Sequence, residues 1–302
     1  MKQRADVALV QRGLAESREK AQAAILAGEV WMNGGRIRKS SEMIREEDAL
    51  ELRSVSEQYV SRGALKLEKA VQVFHADFRN RVVMDVGAST GGFTDVCLRA
   101  GARRVYAIDV GYGQLSWKLR NDPRVVVMER TNARYLTPEV FDERPEMAVM
   151  DVSFISICLV LPALFRILGE HGVVYTLIKP QFEAGREQVG KKGVVRDAAV
   201  HEAVIRRIRD FLPAEGWEMV ALSFSPITGP EGNMEFLAEL RPAGHEGRTE
   251  AGEKAAAGDG IGKAELPGGQ KTGQQEAMQP VSDRMIAETV ARAHETLGKN
   301  RE

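Results

Sequence analysis

The stretch from Val82 to Asp95, VVMDVGASTGGFTD, constrains the fold of this chain more than any other. Four strand formers (Val82, Val83, Met84, Val86) run into a small-residue turn, Gly87 to Gly92, and then a helical segment, Phe93 to Ala100. β-Branched residues bounded by glycines predict a buried parallel strand, and the turn delivers a ligand to a helix N-terminus. The glycines let backbone approach that ligand with no Cβ in the way. Asp85, at the strand's end, can accept a hydrogen bond from a cationic or amino group of the ligand. A dinucleotide site needs G-x-G-x-x-G here. The spacing is G-x-x-x-G-G, so the pyrophosphate fingerprint fails. A ligand without a diphosphate and with an amine near Asp85 fits better, which points to S-adenosylmethionine. The alternative at this point is a tight strand–helix turn with no ligand.

From Val82 to Leu240 strand and helix patterns alternate. Strands are predicted at Val82 to Val86, Val105 to Asp109, Val125 to Met128, Met147 to Val152, Val173 to Ile178, Met219 to Ser223 and Glu235 to Leu240. Helices are predicted at Phe93 to Ala100, near Leu115 to Arg120, at Ile157 to Leu168 and at Ala198 to Leu212. This is the pattern of a doubly wound α/β sheet, whose ligands bind at the carboxyl ends of the strands. The last strand follows Gly229, Gly232 and Asn233 with no room for a crossover helix, so it should run antiparallel to its predecessor. The fold class expected is therefore a Rossmann-like α/β methyltransferase, a mostly parallel seven-stranded sheet with an antiparallel last strand. Asp109 ends the second strand about twenty-four positions after Asp85, where a carboxylate can take both ribose hydroxyls of an adenosine. Asn132, after the third strand, can sit beside the adenine edge or satisfy its own backbone.

Four charges fall at strand ends or helix starts that such a sheet gathers at one rim: Lys66, Asp151, Lys179 and Glu235. Asp151 and Lys179 directly follow apolar strands, where a charge is costly unless it is paired or used. Methylating a ribose 2′-hydroxyl requires a base. A lysine held among apolar residues near a second cation has a lowered pKa and can act as one. The carboxylates orient the lysines, and the second lysine offsets developing alkoxide charge. In-line transfer from a sulfonium then needs little beyond alignment. The competing reading is a structural ion-pair network; for Lys66 alone it is a solvated charge between Leu65 and Leu67.

Residues 1–53 read as a small α+β unit. Ala5, Leu9, Val10 and Leu14 recur at helical spacing with a break at Gly13, Ser17 caps a second helix, and Gly28 stops it. Val30 to Met32, Asn33-Gly34 and Arg36 to Arg38 read as a hairpin. Arg4, Arg12, Arg18, Lys20, Arg36, Arg38 and Lys39 fall on these elements while acids gather between Glu42 and Glu51. A basic face of this kind can track a phosphate backbone, or can simply be a solvated surface. Trp31 is read as core rather than as a stacking platform.

Residues 54–60 form a polar linker, and residues 61–241 the second domain. Residues 242–280 are rich in Gly, Ala, Glu, Lys and Gln and lack core-forming residues, so disorder is expected there. Within 281–302, Ser282 caps an amphipathic helix with Ile286, Val290, Ala293 and Leu297 on one face, expected to dock on the second domain. The 302 residues, 43% hydrophobic, suffice for one large core and a satellite. A net charge of −1 neither favours nor excludes a nucleic-acid partner. Cys97 and Cys158 make no metal-spaced set and no disulfide framework, so no metal is expected. The N-terminus lacks a signal peptide's apolar core, and the longest apolar stretch, Ile155 to Leu168, is too short to span a bilayer. A cytoplasmic location and no membrane partner are the expectation.

Two resemblances sharpen these readings. The run from Arg4 to Ile44 resembles the RNA-binding domain named after small-subunit ribosomal protein four (the S-four domain), through Arg4, Asp6, Gly13, Ser17, Arg18, Ala21, Gly28, Val30, Asn33, Gly34 and Lys39. It implies phosphate contacts by Arg4, Ser17, Arg18, Lys20, Arg36 and Lys39. The motifs VSRGALKL, DVGASTGGFTD, MDVSFIS, LIKPQFEAGREQVGKKGVVRD and SPITGPEGNMEFL resemble the TlyA family of ribosomal RNA 2′-O-methyltransferases, which joins an S-four domain to an FtsJ-like domain. That resemblance implies a Lys-Asp-Lys-Glu tetrad of Lys66, Asp151, Lys179 and Glu235 with Lys179 as base. It implies a cofactor loop of Asp85, Gly87, Ser89, Gly91 and Gly92, with Asp109 on the ribose. The implied substrates are cytidine 2′-hydroxyls of 23S and, for some members, 16S rRNA in ribosomal subunits. Members often carry the label hemolysin, but nothing in the chain supports a pore. A non-catalytic RNA-binding assembly factor is the alternative.

Overall fold

The computed structural model describes residues 2–15, 17–27, 30–37, 39–52, 59–244 and 279–298. Gly28 and Arg38, most of the linker expected at 54–60 and the greater part of 242–280 lie outside the described residues.

The N-terminal unit opens with a short strand, β1 (Lys2–Arg4), and two helices, α1 (Ala5–Gln11) and α2 (Arg18–Ala27). Gly13, at φ +70°, ends the first helical stretch as its position predicts, and the Ser17 hydroxyl accepts from Lys20 N at 3.2 Å to start the second. β2 (Val30–Met32) turns through Asn33 and Gly34, both at positive φ, into β3 (Gly35–Arg36), the hairpin read from Asn-Gly. Three strands escaped sequence reading, β1 among them. β4 (Met43–Arg45) pairs with β1, and β5 (Leu50–Leu52) with β2, each over three residues. Segments that short carry no period to detect. Ala5, Ala8, Leu9, Ala21, Ile25, Val30, Ile37 and Ile44 close a core of their own, while Trp31 is half-buried in β2.

The second unit begins at α3 (Ala64–Phe74). Then follow β6 (Val82–Val86), α4 (Gly92–Arg99), β7 (Arg104–Ile108), α5 (Trp117–Arg120), β8 (Val125–Met128), β9 (Met147–Met150) and α6 (Leu161–Leu168). The chain continues through β10 (Val173–Ile178), α7 (Pro180–Glu183), α8 (Ala198–Phe211), β11 (Trp217–Phe224) and β12 (Phe236–Pro242). A last helix, α9, covers Asp283–Gly298. The sheet order is β11-β12-β10-β9-β6-β7-β8, parallel from β10 to β8, with β12 antiparallel to both its neighbours. The reversed last strand expected from the missing crossover is thus present.

Side-chain alternation along the strands feeds two cores. Val82, Met84 and Val86 join Leu161, Leu164, Ile205 and Ile208 on one face; Val83 joins Leu67, Phe93, Val96 and Cys97 on the other. Phe165 stacks on Trp217 with centroids 4.1 Å apart. The helix expected from Ile157 to Leu168 is divided: a 3-10 turn, Ile157–Leu159, precedes α6, whose first turn carries Pro162. The face read on α9 is the buried one: Ile286, Val290, Ala293 and Leu297 join the first core, and Asp283 pairs with Arg209 at 2.5 Å.

Candidate active site

Strand order puts β6 and β9 side by side at the centre, so the chain leaving each emerges at the same rim. The turn after β6 packs on the backbone that leaves β9. A Cβ on Gly87, which sits at φ +84°, would lie 2.5 Å from the Asp151 carbonyl oxygen. Gly92 is as tight on its other side: its Cβ would meet Ser61 Oγ at 2.5 Å and Ala64 N at 2.9 Å. The openness expected of these glycines for a ligand is used, at both positions, by the protein's own close packing. Gly91, at φ +97°, precedes α4 and faces Leu119 in the same manner. This packing brings the start of α3, and with it Lys66, against the turn.

Four charges expected at the rim do converge. Lys66 Nζ lies 2.6 Å from Glu235 Oε2 and 3.4 Å from Asp151 Oδ2, while Lys179 Nζ lies 2.5 Å from Asp151 Oδ1. Asp151 is therefore shared by two ammonium groups, and the chain runs Glu235–Lys66–Asp151–Lys179. Lys66, Lys179 and Glu235 are buried, at 7%, 8% and 1% exposure, which is compatible with charge because each has a partner of opposite sign. Burial works to lower the Lys66 ammonium, but the charges of Asp151 and Glu235 outweigh it and hold Lys66 above its ordinary value. One partner was not foreseen: Lys179 Nζ also donates to Ser153 Oγ at 2.8 Å. A serine three positions past a strand end has no signal in a single sequence.

Beside the tetrad is a cavity of about 190 Å³ lined by Ser61, Gly63, Gly87, Ala88, Ser89, Thr90, Gly92, Phe93, Asp151, Ser153 and Lys179. Asp85 is not among them. Alternation along β6 turns it toward α4, where Thr94 Oγ1 donates to Oδ2 at 2.6 Å. Burial pushes this carboxyl up to about 7 against the pull of the Thr94 hydrogen bond, and Oδ1 is left without a protein partner. Asp109 follows β7 and accepts from Ser89 N (2.8 Å) through one oxygen and from Gly111 N (2.7 Å) through the other. A carboxylate offers about four lone pairs, so each oxygen keeps one for a diol. Asn132 Oδ1 accepts from Arg134 N and caps a short 3-10 turn. A half-committed carboxylate at Asp109 and a polar cavity lined by Ser89, Asp151 and Lys179 make an acceptor and donor set that suits a ligand with a ribose, while Asp85 stays buried against α4.

The residues expected to meet RNA are more tightly built than a loose basic face. Asp6 is fully buried; Arg4 Nε donates to it at 3.0 Å, Arg18 Nη2 at 3.0 Å and Gln22 Nε2 at 2.8 Å. The Arg4 hydrogen bond, opposed by burial and helped by Gln22 and Arg18, holds the Asp6 carboxyl well below the usual range. Ser17 spends its hydroxyl on the helix start, Lys20 and Lys39 are exposed, and Arg36 lies in β3. Arg12 ties α1 to the β4–β5 turn through the carbonyls of Asp48 (2.6 Å) and Arg45 (2.8 Å).

A doubly wound sheet with its last strand reversed, a glycine turn at the central strand and a buried Lys-Asp-Lys-Glu chain at the rim define a Rossmann-like methyltransferase. Two family models agree, one described as FtsJ-like methyltransferase over residues 59–241 and one as S4 domain over 3–50. The chain belongs to the FtsJ-like methyltransferase family and carries an S4 domain ahead of the methyltransferase. Among curated relatives, YqxC of Bacillus subtilis is 55% identical over 240 residues, 79% of this chain and 85% of its own. The 16S/23S rRNA (cytidine-2′-O)-methyltransferase TlyA of Mycobacterium tuberculosis is 47% identical over 243 residues, 79% of this chain and 89% of its own. A solved structure from Streptococcus thermophilus superposes with a TM-score of 0.70 at 43% identity, covering 99% of this chain and 98% of that one.

Proposed function

We propose that this protein methylates the 2′-hydroxyl of cytidine in ribosomal RNA, of the 23S or the 16S molecule, with S-adenosylmethionine as donor. The observation that carries the reading is the Glu235–Lys66–Asp151–Lys179 chain beside the cavity of the glycine turn. The name borne by the M. tuberculosis relative supplies the substrate class.

S-adenosylmethionine, when bound, supplies an electrophilic methyl on a sulfonium. Asp109 would take its ribose, Gly87, Ser89, Gly91 and Gly92 would shape the turn against it, Asp85 would anchor the strand end behind that turn through Thr94, and Asn132 would border the adenine. Of the two lysines, Lys66 faces two carboxylates, whereas Lys179 faces one carboxylate and a neutral hydroxyl. Lys179 is therefore the one assigned as base: its Nζ would take the 2′-hydroxyl proton, while the donor would supply the methyl as its sulfur–methyl bond breaks and S-adenosylhomocysteine leaves. Lys66, still charged, stabilises the oxyanion character that develops there. Glu235 and Asp151 hold both side chains in register.

The N-terminal unit, residues 1–53, would select structured RNA through Arg4, Ser17, Arg18, Lys20, Arg36 and Lys39, with 54–60 as its tether to 61–241. The tetrad is tested by Lys179→Ala. Methyl transfer should fall at least 100-fold while RNA affinity stays within about threefold. Equal loss of both would remove Lys179 from the role of base.

A further inference from the structure

We propose that Ser153 is a positioning residue of the methyl-transfer site, fixing the direction in which Lys179 presents its remaining valence to the substrate. The inference rests on the methyltransferase reading above and adds a residue that the tetrad leaves out.

A lysine ammonium has three donors arranged tetrahedrally about Nζ. Asp151 Oδ1 at 2.5 Å takes one and Ser153 Oγ at 2.8 Å takes a second. With two positions fixed by two residues of the segment that leaves β9, the third is set by geometry. In the neutral amine, that third position carries the lone pair. Asp151, Ser153 and Lys179 all line the same cavity, so a hydroxyl entering it meets an amine whose orientation is already chosen. Asp151 alone would leave Nζ free to rotate about a single contact.

The loop that carries Ser153 is held more firmly than an exposed loop needs to be. Phe154, the next residue, sits at φ +64° although 90% exposed, a conformation that a non-glycine residue holds only when its surroundings impose it. Two residues further on, the loop is tied down by Glu183, whose side chain is 1% exposed. Its oxygens accept from Ile157 N (2.8 Å), Ser156 Oγ (2.8 Å) and Arg207 Nη2 (3.0 Å), which staples the loop after β9 to α7, the helix that starts at the residue after Lys179. Phe182 of α7 packs on Phe154 with centroids 5.0 Å apart. One buried carboxylate thus ties donor and acceptor of the Lys179–Ser153 hydrogen bond to the same frame.

Ser153 is itself exposed, so its removal should leave the fold intact. The test compares the unsubstituted protein with Ser153→Ala and Ser153→Thr in two assays. In methyl transfer, Ser153→Ala should lower kcat about tenfold with KM for RNA within about twofold, and Ser153→Thr, which keeps the hydroxyl, should recover most of the loss. In trace acylation with acetic anhydride read by mass spectrometry, Lys179 should react several-fold faster in Ser153→Ala, with Lys66 unchanged. A kcat unaffected by Ser153→Ala, or equal Lys179 acylation rates in the two proteins, would overturn the proposal. Absence of transfer by the unsubstituted protein would fall on the methyltransferase reading, while the acylation rates would still decide whether Ser153 holds Lys179.

Discussion

Asp85 has no exposed surface, one hydrogen bond from Thr94 and a second oxygen without a partner. Its carboxyl is pushed up to about 7, above the value near 4 of an unfolded chain. Between those values the folded protein holds a proton that the unfolded chain does not, so this group's contribution to stability declines as pH rises and levels off above about 7. Asp85→Asn, neutral throughout, should therefore gain on the parent: the difference in Tm should shift in its favour from pH 5 to pH 8. A difference independent of pH would show that Asp85 does not titrate in that range. Gly87 makes a second residue-scale case. With its Cβ position 2.5 Å from a backbone oxygen and φ at +84°, Gly87→Ala should cost about 2 kcal/mol or more, measurable by denaturant unfolding. The existence of both residues was plain from the strand–glycine pattern. Their surroundings were not, since Asp85 meets Thr94 and Gly87 meets Asp151 only once α4 and β9 are folded against β6.

Elements were most legible where a period ran long enough to register. The seven strands of the large sheet stand within two residues of their expected ends, because β-branched runs bounded by glycine or charge are read directly. β1, β4 and β5 were missed for the opposite reason: each has three residues, and β1 finds its partner about forty residues away. Ser153 and Glu183 were equally illegible, since their roles come from contacts across 26 or 27 positions rather than from local spacing. The last helix shows how far a 3.6-residue period carries an argument. Ile286, Val290, Ala293 and Leu297 were expected on one face and are all buried against α8 and the sheet. Burying an aliphatic side chain stabilises by roughly 1.5–3 kcal/mol, and deletion leaves a cavity besides. Ile286→Ala should accordingly lower the unfolding free energy by about 3 kcal/mol. Met285→Ala, one position away and 40% exposed, should change it by less than about 0.5 kcal/mol. Similar losses from both would mean that α9 does not dock through this face.

At the scale of the whole molecule, a net charge of −1 conceals a division of labour. In the N-terminal unit Arg4 and Arg18 meet on one buried acid, Asp6, and each keeps much of its surface open. A guanidinium held by Asp6 on one edge is oriented for a phosphate on the other. Arg18→Ala should weaken RNA binding and reduce the slope of log affinity against log salt by about one contact; an unchanged slope would remove Arg18 from the RNA face. No helix among the described residues is long and apolar enough to cross a membrane, and no His, Cys, Asp or Glu group there could hold a metal ion.

The most direct measurement combines purified ribosomal subunits, methyl-labelled S-adenosylmethionine and this protein, followed by mapping of nuclease-resistant 2′-O-methyl positions. Label on the ribose of a cytidine in 23S or 16S rRNA is the result predicted here, and the labelled subunit identifies the substrate. Label on a base would contradict the role given to Lys66, Asp151, Lys179 and Glu235, and no label despite binding of both cofactor and RNA would favour an assembly factor that holds RNA without modifying it.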